Sequence, residues 1–192
     1  MKSNTSRTIF FLIFLVIILF SAGAEDKRVL PLDLYLIIDG SASLESSKND
    51  TFAWICDKVI DRILVDGDKI TIWNAGDRAQ VIYSAALSEA AGKSEIKEKI
   101  RGILLNGKTA DFSGALRDAA GRVSQTAADR LAVTMLVTAS AEGLEPALSG
   151  SSQGLFRWFR SEQYERWQVL IIAPDIGKKV QQSAADYMSS LR

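Results

Sequence analysis

Apolar residues along the chain fall into short continuous runs separated by longer amphipathic segments. Strands buried on both faces, as in a parallel sheet, are predicted at 32–39, 131–138 and 168–173. Helices with one apolar face are predicted at 49–64, 94–104, 112–125 and 177–191. In the first helix, the side chains expected to face the core are Phe52, Ile55, Cys56, Val59 and Ile63. This alternation predicts a Rossmann-like α/β fold, with a doubly wound, mostly parallel sheet and helices on both faces.

Two shorter segments, 69–73 and 80–84, also have the pattern of strands. The residues between them include Asn74, Gly76 and Asp77, which are typical of a hairpin turn. We therefore expect one antiparallel hairpin at the edge of the sheet. Farther along, Ser94 is expected to cap the second helix, because serine accepts hydrogen bonds from free amides at a helix start.

The N-terminal residues have the pattern of an export signal. Lys2 and Arg7 precede an uninterrupted apolar stretch, 9–20, and the small residues 22–24 form a cleavage site. We therefore expect a signal peptide at 1–24, a single domain at 25–192, and export to the periplasm or the extracellular space. The apolar stretch is shorter than the roughly 20 residues of a membrane span. The alternative is that this segment is not cleaved and anchors the protein. A membrane is expected as a partner only in that case.

Composition narrows the chemistry that the chain can perform. There is no histidine, which excludes Ser-His-Asp and Cys-His catalysis and any histidine metal ligand. Acidic and basic residues balance at 23 each, and loss of Lys2 and Arg7 with the signal leaves a net charge of −2. This balance does not indicate a nucleic-acid partner. The lone Cys56 cannot form an intramolecular disulfide and is expected to be a buried apolar side chain.

The first apolar run stops abruptly at a loop rich in oxygen side chains. Asp39, Ser41 and Ser43 stand within five residues, in the sequence Asp-Gly-Ser-Ala-Ser. Carboxylate and hydroxyl oxygens on a tight loop suit Mg²⁺ or Mn²⁺, which prefer an octahedral shell of oxygens. The alternative is a polar turn whose side chains bond nearby backbone amides.

This loop and a later one resemble the von Willebrand factor A (VWA) domain family. The family's Asp-x-Ser-x-Ser motif after the first strand is matched by Asp39, Ser41 and Ser43, and its threonine loop by Gly107 to Thr109. The family usually has an aspartate after the fourth strand, where this chain has Ala139. The resemblance covers about 32–173, which is most of the mature chain.

The resemblance implies a metal-ion-dependent adhesion site, with Mg²⁺ or Mn²⁺ held by Asp39, Ser41, Ser43 and Thr109. The ion would bind an acidic side chain of a partner protein, in a module that is not an enzyme. Loss of the outer aspartate at Ala139 implies affinity weaker by about 10–100-fold. Asp111 and Glu142 are the two residues that could supply a carboxylate in place of the missing aspartate. The alternative is a metal-independent interaction scaffold that keeps a vestigial site.

Two further patterns have competing interpretations. The segment 102–109 fits the phosphate-binding pattern GxxxxGK[ST], but it follows a helical segment and contains three bulky apolar residues. A nucleotide hydrolase is therefore the least favoured function. The segment 155–167 is rich in aromatic residues, which either pack on the sheet or form a partner-binding patch. Asp66 and Asp68 flank Gly67 and are expected to form a turn without a catalytic role.

Overall fold

The computed structural model describes residues 28–140 and 167–173. These residues form the strands β1 (Leu32–Asp39), β2 (Lys69–Ala75), β3 (Ala79–Ala86), β4 (Leu131–Val137) and β5 (Trp167–Ile172). The strands make one sheet in the order β3-β2-β1-β4-β5. β1 is parallel to β2 and β4, and β4 is parallel to β5, whereas β2 and β3 are antiparallel. The expected mostly parallel sheet with an antiparallel edge hairpin is confirmed.

Helices cover both faces of the sheet, as the alternation of elements predicts. Their bounds are α1 (Lys48–Trp54), α2 (Glu89–Arg101) and α3 (Phe112–Val123). Successive side chains of β1 point to opposite faces. Leu36 and Ile38 join the hydrophobic cluster that contains α1 and α2, whereas Tyr35 and Ile37 join the cluster that contains α3. The central strand is therefore buried on both sides.

The first helical segment differs from the expected regular helix. A 3₁₀ turn, Ala42–Ser47, precedes α1, and a π-helical segment, Ile55–Asp61, follows it. The wider i→i+5 spacing of a π-helix rotates the residues that follow it. Ile60 is consequently fully buried, whereas Ile63 is 39% exposed. The expected burial of Ile63 is wrong because an α-helical period does not hold across this segment.

Two other boundaries require correction. α2 starts at Glu89, so Ser94 lies inside the helix and does not cap it. Apolar periodicity missed this start because the first turn carries Ala90 and Ala91, which favour helix without marking an apolar face. The hairpin turn is shorter than expected, since Asn74 pairs with Gln80 inside the two strands.

Cys56 is buried in the cluster beneath α1, as expected. Burial raises the pKa of its thiol, so the reactive thiolate is scarce near neutral pH. We expect iodoacetamide to label Cys56 slowly in the native protein and completely in denaturant, as followed by mass spectrometry. Equal labelling rates in the two conditions would show that this part of the core is open to solvent.

A network of charged side chains connects the amino-terminal ends of neighbouring strands in the sheet. The buried carboxylate of Asp68 accepts hydrogen bonds from the Leu32 and Val65 amides, at 2.8 and 2.9 Å, and pairs with Arg28 at 3.0 Å. Arg130 pairs with Asp33 at 2.6 Å. The turn expected at Asp66 and Asp68 is present, but Asp68 is also an anchor between β1 and the start of β2.

Several expectations lie outside the described residues. They are the signal at 1–24, the helix at 177–191, the aromatic residues 155–166 and the carboxylate of Glu142. Of the aromatic segment, Trp167 is described. Its indole is buried and donates a hydrogen bond of 2.8 Å to the Thr134 hydroxyl, so this residue packs on the sheet. Of the helices in 28–140, none has the length and apolar character needed to cross a membrane.

Candidate functional site

The candidate site lies where the winding of the sheet reverses direction. β1 continues to β2 on one side of itself, and β4 adds on the other side. In sheets of this type, the crevice beyond the carboxyl ends of the two strands at the reversal is the usual ligand site. Asp39 ends β1 and Thr138 follows β4, so both side chains are placed at this crevice.

Asp39 is a buried carboxylate whose two oxygens have different partners. One oxygen accepts the Ser41 amide at 2.8 Å, and the other accepts the Thr138 hydroxyl at 2.9 Å. The first bond folds the loop back over the end of β1, which places Ser41 and Ser43 side by side. Their hydroxyl oxygens are 2.7 Å apart and share a hydrogen bond. The loop thus presents two hydroxyls next to one fixed negative charge.

Two glycines let the serine loop and the threonine loop approach each other closely. The Gly107 amide donates to the Gly40 carbonyl at 3.0 Å, and the Ala42 amide donates to the Gly107 carbonyl at 2.9 Å. A Cβ at Gly107 would lie 3.1 Å from the Gly40 carbonyl oxygen, which is a tight contact, and a Cβ at Gly40 would lie 2.7 Å from the backbone nitrogen of Gly76. The contact with Gly76 is too short without a shift of the backbone, so glycine at position 40 is needed for packing against the turn between β2 and β3.

Asp77, in the turn between β2 and β3, holds the threonine loop. One of its oxygens accepts the Lys108 amide at 2.8 Å, the Thr109 amide at 3.1 Å and the Thr109 hydroxyl at 3.4 Å. The bonds from the Thr109 and Lys108 amides hold the pKa of the Asp77 carboxyl below its usual range. Asp77 is therefore ionised at neutral pH and fixes the position of Thr109.

The structure brings the four residues expected to bind metal into one open cavity of about 660 Å³. Asp39, Ser41, Ser43 and Thr109 all line it. Its rim includes the exposed Lys108. Asp39 at the end of β1 and Thr109 in the loop between α2 and α3, about 70 positions apart in the sequence, thus contribute oxygens to the same space.

Of the two carboxylates that were expected to compensate for Ala139, Asp111 is described, whereas Glu142 lies outside the described residues. Asp111 caps α3, since one oxygen accepts the Gly114 amide at 2.8 Å and the other accepts the Ala79 amide at 3.2 Å. It does not line the cavity, so the suggested compensation by Asp111 is not supported. Within 28–140 and 167–173, no group of three or more His, Cys, Asp or Glu side chains is placed to hold a metal ion.

The segment 102–109 does not have the arrangement of a phosphate-binding loop. It follows α2 and not a strand, and Ile103 and Leu105 are buried. The Lys108 and Thr109 amides, which would have to face phosphates, donate to Asp77. The GxxxxGK[ST] match is therefore a coincidence of sequence at this position.

Two residues of the site were missed by the sequence analysis. Thr138 was assigned to the end of a strand, yet the pairing of Ile38 with Val137 places it next to Asp39. That placement follows from two parallel neighbouring strands and was open to inference. Asp77 was assigned to the hairpin turn, and its contact with Thr109 depends on tertiary packing that no local pattern reveals.

Comparison with known proteins supports the fold and leaves the activity open. No protein-family model matches the sequence, and no curated protein matches it. Among solved structures, proximal thread matrix protein 1 (PTMP1) from the mussel byssus aligns with a TM-score of 0.53 and 15% identity, over 75% of this chain and 38% of that chain. A von Willebrand factor type A protein from Catenulispora acidiphila aligns with a TM-score of 0.46 and 14% identity, over 81% and 42%.

The pilus adhesin SpaC from Lactobacillus rhamnosus GG aligns with a TM-score of 0.46 and 14% identity, over 59% of this chain and 16% of that chain. The chain therefore spans less than half the length of each of these three structures. A structure of PTMP1 has a zinc-occupied metal-ion-dependent adhesion motif. At such low identity the likeness concerns the fold alone. Sheet order, helix placement and the likeness to PTMP1 show that the chain has a Rossmann-like α/β fold.

Proposed function

We propose that the chain is a protein-interaction module that binds a carboxylate of a partner protein through a divalent ion. Asp39, Ser41, Ser43 and Thr109 would hold the ion, with Mg²⁺ or Mn²⁺ as the expected metal. The observation that carries the proposal is the convergence of these four oxygen side chains on one cavity at the sheet's switch point. When bound, the ion would supply an open coordination position for the partner's carboxylate.

These ligands suit a hard cation whose positive charge is only partly neutralised by the protein. Three hydroxyls and one carboxylate are all oxygen donors, which Mg²⁺ and Mn²⁺ prefer over nitrogen and sulfur. Of the lining residues that the structure describes, Asp39 is the single carboxylate. An ion neutralised by so few charges attracts a further anion, which supports binding of an acidic side chain from outside.

The charge at the rim supports the same kind of partner. Lys108 is the only cation among the described lining residues, and its side chain is exposed. A carboxylate that approaches the ion would also be attracted by this ammonium group, whereas a basic partner would be repelled. The surface of the site is therefore complementary to an acidic peptide segment.

A metal-independent scaffold is the second candidate, and one observation favours it. The Ser41 and Ser43 hydroxyls bond each other, and both oxygens of Asp39 have partners within the protein. These bonds hold the loop in shape without an ion, as a vestigial site would. Binding of a partner that is unaffected by EDTA would support this candidate.

Metal-dependent binding of a simple carboxylate distinguishes the two candidates. We expect the ¹⁵N NMR signals of the Ser41 and Thr109 amides to shift on addition of Mg²⁺, and to shift further when acetate is then added. Ser41→Ala should remove both responses, because it deletes one ligand hydroxyl and keeps the backbone bond to Asp39. Acetate shifts that persist in EDTA would contradict the metal-mediated mechanism.

Ser46→Ala provides a matched control for this experiment. Ser46 lies on the 3₁₀ turn that follows the same loop, but it is exposed and does not line the cavity. The variant makes the same chemical change within five residues of Ser41. Its responses to Mg²⁺ and acetate should equal those of the unmodified protein.

Export is part of the proposal. The charged start, apolar stretch and small residues of 1–24 are the pattern of a signal peptide. PTMP1 comes from the mussel byssus and SpaC is a pilus adhesin, so similar folds occur in extracellular proteins. Mass spectrometry of the exported protein should find a mature N-terminus at Glu25.

A further inference from the structure

The site lacks a negative charge that its resemblance to the VWA family would predict. Ala139 stands where the VWA family usually has an aspartate, and Ala139 packs against the hydrophobic cluster beneath α1 and α2. Among the described residues that line the cavity, Asp39 alone carries a negative charge. Within the described part of the chain, a second carboxylate that influences the ion would therefore have to act from outside the cavity lining.

Asp77 is one hydrogen bond away from a proposed metal ligand. Its Oδ1 lies 3.4 Å from the Thr109 hydroxyl oxygen, and the two amides bonded to the same oxygen keep it in place. The turn that carries Asp77 is itself fixed to the site. The Gly76 carbonyl accepts the Asp111 amide at 2.9 Å, and the Ala75 carbonyl accepts the Gly40 amide at 2.9 Å.

The direction of this hydrogen bond determines what Thr109 offers to a cation. A hydroxyl has one hydrogen to donate and two lone pairs to accept with or to coordinate a metal. An ionised carboxylate can act only as an acceptor, so the Thr109 hydrogen must point toward Asp77. The lone pairs of the Thr109 oxygen are then free to face the cavity.

We infer that Asp77 is a positioning residue of the metal site, which orients the Thr109 hydroxyl toward the ion and replaces part of the charge missing at Ala139. The inference rests on the proposed metal site. Asp77 does not line the cavity, so it acts through Thr109 and not as a ligand. Groups that orient a ligand in this way usually alter metal affinity by about 10–100-fold when they are removed.

The test measures Mn²⁺ affinity of the full chain by the EPR signal of the free ion. Asp77→Asn keeps the size of the side chain and removes its charge, and we expect it to weaken binding by about 10–100-fold. Asp129→Asn, at an exposed position before β4, is the matched control and should leave the affinity unchanged. Equal affinity of Asp77→Asn and the unmodified protein would overturn the inference and leave the proposed function intact.

A double-mutant cycle separates orientation of the hydroxyl from a general structural effect. If Asp77 acts through the Thr109 hydroxyl, Asp77→Asn should cause little further loss of affinity in a Thr109→Val background. Fully additive losses would overturn the inference, because Asp77 would then act by another route. Absence of Mn²⁺ binding by the unmodified protein would instead refute the proposed function, and this inference with it.

A metal-free measurement shows whether Asp77 holds the threonine loop. In EDTA, the Lys108 and Thr109 amides should exchange with solvent faster in Asp77→Ala than in the unmodified protein, because both donate to this carboxylate. Exchange of the Ser41 amide, which donates to Asp39, should not change. Equal exchange at positions 108 and 109 would show that Asp77 does not hold the loop, and would overturn the inference.

Discussion

Asp68→Ala should lower the free energy of unfolding by about 3–5 kcal/mol, the range found when one partner of a buried ion pair is removed. The Asp68 carboxylate has no exposed surface, and it satisfies the Leu32 and Val65 amides as well as Arg28. The Leu32 amide lies at the start of the buried central strand. Truncation would leave this donor without its acceptor and would loosen the connection between β1 and β2.

Chemical denaturation monitored by circular dichroism measures this loss. Asp66→Ala is the control, because Asp66 lies on the other side of Gly67 and is exposed. Its cost should stay within about 0.5 kcal/mol, as for ordinary surface substitutions. A loss below about 1 kcal/mol in Asp68→Ala would mean that water or another group satisfies these amides. Asp68 would then not be an anchor of the sheet.

Metal binding should stabilise the protein against heat by an amount that Ser41→Ala removes. An ion that binds the folded state alone, at 100 times its dissociation constant, stabilises it by about 2.7 kcal/mol. For a domain of this size, that corresponds to a rise in melting temperature of about 5–10 °C. The measurement compares melts in EDTA with melts in millimolar Mg²⁺ or Mn²⁺.

The variant distinguishes a specific site from general effects of a divalent salt. Ser41→Ala keeps the backbone bond between its amide and Asp39, so its melt in EDTA should remain close to that of the unmodified protein. Its response to the ion should be lost. A rise of equal size in both proteins would place the ion elsewhere, and no rise in either would favour the metal-independent scaffold.

The central part of the fold was predictable because its signals are local. β1 was expected at the residues it occupies, since a run that is apolar on both faces marks a doubly covered strand. The grouping of Asp39 with Thr109 was expected from the resemblance to the VWA family, since Thr109 lies in a loop between two helices and not at a strand end. The first inference needs only the apolar pattern, and the second needs the two motifs and the order of the elements. A single sequence contains all of this information.

The remaining features depend on contacts between distant positions. Asp68 looked like one of two turn acids, and its role as an anchor appears only when Leu32, 36 positions earlier, lies against it. Asp77 likewise contacts the Thr109 loop 32 positions later. Burial of Ile60 in place of Ile63 reflects a π-helical segment that apolar spacing alone does not indicate. Tertiary packing, and not local propensity, decides each of these cases.

The central claim is that one divalent ion binds between the serine loop and the threonine loop. Diffraction from crystals equilibrated with Mn²⁺, collected where manganese scatters anomalously, locates the ion directly. The account predicts one anomalous peak in the cavity, contacted by the hydroxyl oxygens of Ser41, Ser43 and Thr109. A cavity without a peak, with Ser41 and Ser43 still bonded to each other at saturating Mn²⁺, would contradict it.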